Sequence, residues 1–443
     1  MKKTGRKMSV WQLTVITAAN MMGSGIIMLP TKLAQVGAIS LLSWFITALG
    51  SMALAMAFVR CGMYSNTSGG MGGYAEYRFG KRGHFMTSYA YAVSIVIANV
   101  AIAIAAVGYG SQLLEASLSP VQICMFTTLL LWLGVILNFR GAKYTGRLST
   151  FTIFGAIIPI LGLGTIGWFF FDPQMFSLSW NPRDYGLFDA VSNSIALTLW
   201  AFLGLESAAV NMNSVENPQK NVPLATFWGT LLVAVIYILS TNVIAGIVPN
   251  ADLLQSSAPF GLAYATMFND TIGKIMMGMM VVSCCGSLFT WQFTLAQIFK
   301  TTADKGFFPK IFSQVSKSDT PVKGMLIIVI MQSFLALMTI SPTLSAQFEI
   351  LANLAVVTNI IPYILCSIAS MTIMKQAAVT GGTYRRGVFF AAVALAYCVY
   401  ALYTIDPVTL TAGGIALLAG MIAYQIVFDY LPSRQGAREL PRA

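Results

Sequence analysis

The chain has 443 residues, 57% of them hydrophobic and only 9% charged, whereas a soluble globular domain carries about 25% charged residues. Such a composition excludes a soluble globule and places the chain in lipid. The formal charge of +11 arises from 26 Lys and Arg against 15 Asp and Glu; the basic residues are scattered over many segments, which argues against a nucleic-acid-binding stripe.

Crossing about 30 Å of hydrocarbon as a helix takes roughly 20 apolar residues. Twelve such spans are predicted, at 11–35, 38–59, 84–113, 120–138, 148–171, 190–213, 224–248, 271–302, 324–341, 346–374, 387–405 and 409–431. The runs are apolar on every face, unlike the alternating segments of about 10 residues in a membrane β-barrel. The expected fold class is therefore an all-α membrane protein. It forms a single domain, with a cytoplasmic N-terminal segment (1–10), a helical bundle (11–431) and a cytoplasmic tail (432–443). Lys2, Lys3, Arg6 and Lys7 lead into the first span without an A-x-A-like site, so no cleaved leader is expected. With the N-terminus in the cytoplasm, the loops on that side collect every Lys and Arg except Lys32, Arg183 and Lys274. Positive charge favours that side, and an even number of spans returns the C-terminus to it.

The first span is interrupted at Asn20–Ile26 by Gly23, Ser24 and Gly25, and the sixth at Phe202–Ser207 by Gly204. Glycine weakens a helix and leaves backbone N–H and C=O groups that hydrocarbon does not tolerate unless they line a cavity or meet a ligand. Breaks at matching positions of two five-span halves point to a transport site. Close helix packing is the competing role for such glycines, although Gly23-Ser24-Gly25 lacks the four-residue spacing of a packing motif.

Before the third span, a glycine-rich loop at 69–78 carries Glu76, which could capture an incoming amine or pair locally with Arg78 or Arg82. His84, beside Lys81 and Arg82, reads as a solvated interfacial residue. Within the third span Tyr91 and Asn99 are candidate site residues. An interfacial position competes for Tyr91, and a hydrogen bond between helices for Asn99. The sixth span holds Glu206, the one acidic residue deep in an apolar segment. A charge there costs roughly 2.5–3.5 kcal/mol on insertion scales and marks a substrate, ion or proton site. No Lys or Arg is expected at comparable depth, so its partner is expected from outside. A ligand ammonium about 4 Å away would gain on the order of 4 kcal/mol at an effective dielectric near 20. Proton exchange is a competing or coupled role for the same carboxylate. Trp200 and Trp291, in the sixth and eighth spans, lie away from the interfacial belts. They could hold a cation through cation–π attraction of about 0.5–2 kcal/mol each, or simply pack. The six cysteines fall in or at the ends of spans with no CxxC pair or neighbouring His and read as small apolar residues. One deep carboxylate without a deep His does not supply the converging groups of an enzyme, and polar positions gathered at two helix breaks do not form the continuous polar path of a channel.

The segments Asn20–Ile26, Gly72–Tyr77, Trp200–Ser207, and Glu216–Pro218 with Asn221–Pro223 resemble the amino acid, polyamine and organocation (APC) transporters over nearly the whole chain. Ile244–Asn250, Ser283–Leu288, Trp291–Thr294 and Ala355–Tyr363 are most similar to the bacterial basic amino acid and polyamine antiporters within that superfamily. The resemblance implies the LeuT-type five-plus-five inverted-repeat fold with two further helices, its first and sixth helices broken. It implies a site between the first, third, sixth and eighth spans. Ser24 and Gly25, following Gly23, would meet a substrate carboxylate, Asn99 would lie beside the site, Trp200 and Trp291 would form aromatic walls, and Glu206 would anchor the amine. Cys61, Glu76, Tyr91 and Tyr424 are implied to affect polyamine transport. Ala209 and Met421 depart from the pattern, which has cysteine and tryptophan there. The function implied is exchange of putrescine for ornithine across the bacterial inner membrane by alternating access, with proton-coupled putrescine uptake as a second mode and no cofactor. Lysine–cadaverine exchange, arginine–agmatine exchange and proton-coupled amino acid uptake use the same elements and remain alternatives. The sequence does not set an oligomeric state.

Overall fold

The computed structural model describes residues 9–22, 24–66, 70–206, 216–316, 320–338, 340 and 343–425; for Ile16, Asn20, Ser24, Ala142, Lys143, Pro218 and Gln219 it describes the backbone alone. Among these residues nine helices are long and apolar enough to cross a membrane: Ala38–Tyr64 (α2), Gly70–Leu113 (α3), Pro120–Asn138 (α4), Tyr144–Phe170 (α5), Lys220–Ala245 (α7), Asp270–Asp304 (α8), Leu344–Gln376 (α10), Gly381–Tyr403 (α11) and Pro407–Tyr424 (α12). Three shorter apolar helices are Val10–Met21 (α1), Leu187–Ala201 (α6) and Val322–Met338 (α9). Gly23, Ser207 and the tail at 432–443 lie outside the described residues.

Local chemistry sets several helix starts. Ser9 with Gln12, and Ser119 with Gln122, form capping boxes in which each side chain satisfies the other residue's backbone N–H. Pro120 supplies the fixed φ suited to a first turn. Asn269, Thr343 and Asp406 cap α8, α10 and α12 through their side chains.

Two corrections concern the segment before the third span. Residues 70–79 are helical instead of forming a loop, and the chain bends at Gly80, whose φ is +63°, a left-handed conformation open to glycine at little cost. The first stretch folds back on the second closely enough that a Cβ at Gly72 would lie in the space of Ser88 and His84. His84 is consequently buried, at 2% exposure. Its Nδ1 lies 2.8 Å from Glu76 Oε2 and its ring stacks on Phe307 at 4.4 Å. Charge neighbours in the sequence suggested a solvated site; the glycine-permitted fold-back buries it.

Lys32, placed by the sequence on the outer side at the end of the first span, gains a partner that the sequence does not show. It sits in the short helix Leu29–Leu33 with 2% exposure and pairs at 2.8 Å with Glu349 Oε2 on α10.

Polar contacts register the inner helices. Ser43 and Thr47 of α2 meet Ser194 and Thr198 of α6 at 2.7 and 2.6 Å, Tyr397 of α11 donates to Thr47 at 3.1 Å, and Ser94 of α3 donates to the Ala355 carbonyl of α10 at 2.8 Å. Inside hydrocarbon such pairs hold helices together where apolar surface alone gives no preference. Leu129, Phe334, Val399 and Ile415 are exposed on the periphery, as a lipid-facing surface requires.

Candidate functional site

Two helix ends meet at the centre. Helix α1 stops at Met21, a 3-10 turn covers Ser24–Ile26, and a helix resumes at Leu29. Helix α6 stops at Ala201 and the chain turns through 202–206, with Gly204 at φ +105°. The carbonyls released at the first break are satisfied by tyrosines: Tyr237 of α7 donates to Met21 O at 2.7 Å, and Tyr109 of α3 donates to Ile27 O at 2.9 Å. Tyr237 also packs against Phe202 at 5.7 Å, so one side chain ties the end of α1 to the end of α6. Gly25 approaches α6 closely, since an added Cβ would stand 3.2 Å from Ala201 Cα. Packing and site formation are thus joined in this glycine.

Glu206 lies at the end of the second turn with 6% exposure. Its Oε1 accepts from Tyr91 OH at 2.7 Å, and its Oε2 accepts from Tyr363 OH at 2.8 Å and from Gly204 N–H at 3.2 Å. No ion pair to Glu206 occurs among the described residues. Two carboxylate oxygens offer about four lone-pair sites; three donors hold the group and leave room for another.

Two cavities adjoin this carboxylate. The inner one, about 50 Å³, is walled by Gly25, Tyr91, Trp200, Gly204, Glu206 and Trp291, among others; that volume admits a few waters. The second, about 300 Å³, is bordered by His84, Ser88, one face of α8 at Thr294, Gln297 and Thr301, and Lys305 just beyond its end. Tyr91 and Glu206 are common to both linings, so their hydrogen bond stands at the partition.

The remaining candidates are placed as follows. Trp200 is buried, edge-on to Phe348 at 6.0 Å, and its indole Nε1 has no hydrogen-bond partner among the described residues. Asn99 lies off both cavity linings. It donates to Gln292 at 3.2 Å, and Gln292 donates to Gln332 at 2.6 Å, a buried amide chain joining α3, α8 and α9. Glu76 meets His84 instead of Arg78 and lines neither cavity directly. Tyr424 packs on Phe85 at 5.1 Å and also lies off both linings. Ser24 has a described backbone within the 3-10 turn. Sequence reasoning about the site passed over Tyr363 and Asn359. Both lie in α10, and Asn359 lines the inner cavity. The available signal was an Asn and a Tyr four residues apart, on one helical face, within an apolar span.

A bundle of apolar helices, with a buried carboxylate that has no ion-pair partner among the described residues and cavities on either side of it, is built to pass a small molecule across a membrane. The chain belongs to the amino acid permease family, whose model matches residues 8–427. It is 60% identical over 421 residues to the putrescine transporter PotE of Escherichia coli K12, covering 95% of this chain and 96% of that protein. It is 55% identical to the putrescine transporter PotE of Haemophilus influenzae, covering 96% and 98%. It is 32% identical to a cadaverine/lysine antiporter of Escherichia coli K12, over 81% and 82% of the two chains.

Proposed function

We propose that this protein exchanges putrescine for ornithine across the bacterial inner membrane, with Glu206 as the shared anchor for a substrate ammonium. The observation that carries this reading is the buried Glu206 carboxylate, held by three hydrogen-bond donors with no cation beside it among the described residues. A buried charge without a partner is costly, and a transient cationic ligand offsets that cost. The putrescine transporters that match at 60% and 55% identity support the diamine. Ornithine is the counter-substrate because it presents an amine of similar reach together with a carboxylate.

In this reading the twelve apolar helices form a twelve-span bundle with both termini cytoplasmic, built on an inverted repeat whose first and sixth members are broken. The 300 Å³ cavity opens to the cytoplasm, as Lys305 in its lining favours. The inner cavity is too small for a six-heavy-atom diamine, so substrate occupancy requires Tyr91 and Glu206 to part. One site that faces each side in turn enforces exchange. Gly23, Ser24 and Gly25 receive the ornithine carboxylate at a helix break, while Trp200 and Trp291 wall the site. Glu76, Tyr91, Asn99 and Tyr424 act on transport around it, and protons couple to an uptake mode through Glu206.

Proteoliposomes preloaded with unlabelled putrescine, cadaverine, agmatine, ornithine, lysine or arginine, and assayed for labelled putrescine uptake, test the pairing. Strong trans-stimulation by ornithine and putrescine is expected. Greater stimulation by lysine and cadaverine, or by arginine and agmatine, would reassign the substrates.

A further inference from the structure

A groove of about 490 Å³ lies away from the central cavities, between the first stretch of α3, the end of α10 and the start of α11, with Arg78, Ile368, Met371, Thr372, Lys375, Gln376 and Tyr384 in its lining. Ile368, Met371, Thr372 and Lys375 are spaced i, i+3, i+4, i+7, so one face of α10 grades from apolar through hydroxyl to cationic within two turns. On α11, Arg385 and Arg386 follow Tyr384, and the chain becomes apolar from Val388 onward. The cationic end of the groove therefore sits where these helices leave the hydrocarbon.

The positive charge has no answer within the described part of the protein. The side chains of Arg78 and Lys375 make no ion pair or hydrogen bond among the described residues. The sequence between Glu349 and Asp406, and that between Glu76 and Glu115, contains no Asp or Glu. Glu76 is engaged by His84. Helix α11 also begins without a side-chain cap on its free N–H groups, which favours an anion at that end.

We propose that this groove binds an anionic glycerophospholipid, with the phosphodiester between Arg78 and Lys375 and an acyl chain along Met371 and Ile368. The apolar-to-cationic gradient distinguishes a lipid from a soluble anion: an inorganic phosphate would use the cations and leave the Ile368–Met371 end unfilled. Basic pockets between membrane helices suit anionic headgroups.

The test is native mass spectrometry of the full chain released from nanodiscs of mixed phosphatidylglycerol and phosphatidylethanolamine. Three proteins are compared: the wild type, Arg78→Gln/Lys375→Gln, and a charge-matched control, Arg147→Gln/Lys310→Gln. A retained phosphatidylglycerol adduct in the wild type and control, reduced about tenfold or more in Arg78→Gln/Lys375→Gln, is expected. Equal loss in both variants would mean diffuse attraction, and equal retention of phosphatidylethanolamine would mean no anion selection; either overturns the proposal. So does displacement of the adduct by inorganic phosphate, which would make the site one for a soluble anion. Should the double variant not yield monodisperse protein, Lys375→Gln alone is compared with the wild type. A weakened phosphatidylglycerol adduct then supports the site, and an unchanged one overturns it.

Discussion

Tyr363 of α10 donates its hydroxyl hydrogen to Glu206 Oε2 at 2.8 Å, across 157 residues of sequence, while Tyr91 of α3 holds the other oxygen at 2.7 Å. The carboxylate, carried on the turn after α6, is thereby fixed by two other helices. A hydrogen bond to a charged group contributes about 1.5–3 kcal/mol. Loss of either phenol therefore disturbs the anchor without removing its charge.

From this follows a graded series. Glu206→Gln is expected to abolish exchange of both putrescine and ornithine in proteoliposomes. Tyr363→Phe is expected to lower transport efficiency by about tenfold or more, with both substrates affected alike. Wild-type rates in Tyr363→Phe would show that the α10 contact does not hold the anchor.

The pair Lys32–Glu349 calls for a double-mutant cycle. Removing one partner of a buried ion pair costs about 3–5 kcal/mol, and less where one side meets water; the Glu349 side chain is 34% exposed. Lys32→Met or Glu349→Gln alone should each destabilise the detergent-solubilised protein by roughly 2–3 kcal/mol. Lys32→Met with Glu349→Gln should recover most of that loss. Additive losses, measured by thermal unfolding followed with a thiol-independent probe, would contradict an energetic coupling between the two.

The two residues also mark what a sequence can and cannot show. Helix positions were legible because apolar runs of membrane length are local: the predicted 120–138 coincides with Pro120–Asn138, and Glu206 stood out because a carboxylate deep in such a run is expensive. Pairings across the bundle were not legible. Lys32 meets Glu349 only because the helix Leu29–Leu33 docks against α10, and Tyr363 reads as one more aromatic in a span until α10 is seen beside Glu206. Asn99 carried a polar signal in a span, but α8 places Gln292 opposite it, and nothing local in either sequence segment specifies that meeting.

The satisfied helix break makes a prediction about folding. Tyr237 and Tyr109 donate to the carbonyls of Met21 and Ile27 from fully buried positions. An unsatisfied buried carbonyl costs about 1–3 kcal/mol. Tyr237→Phe and Tyr109→Phe should each lower stability by that amount while keeping the ring packing. Tyr237→Phe should also slow exchange, because it loosens the end of α1 opposite Phe202. An unchanged melting temperature in both variants would mean that the break is stabilised by other groups.

Substrate charge gives the last prediction. At neutral pH both amines of putrescine are protonated, whereas ornithine carries two ammonium groups and a carboxylate, so one-for-one exchange moves about one net charge. That is worth roughly 2.3 kcal/mol per 100 mV, or about a 50-fold change in the equilibrium distribution ratio. A potassium-diffusion potential imposed on proteoliposomes should shift putrescine–ornithine exchange accordingly, and should leave putrescine–putrescine exchange without net charge movement. The same assay separates the roles of the two helix ends. A bulky replacement of Ser24 is expected to impair ornithine more than putrescine, because only ornithine brings a carboxylate to the first break, whereas Glu206→Gln impairs both. Equal losses for the two substrates in Ser24 variants would remove the first break from substrate selection and leave it a packing feature around Gly25.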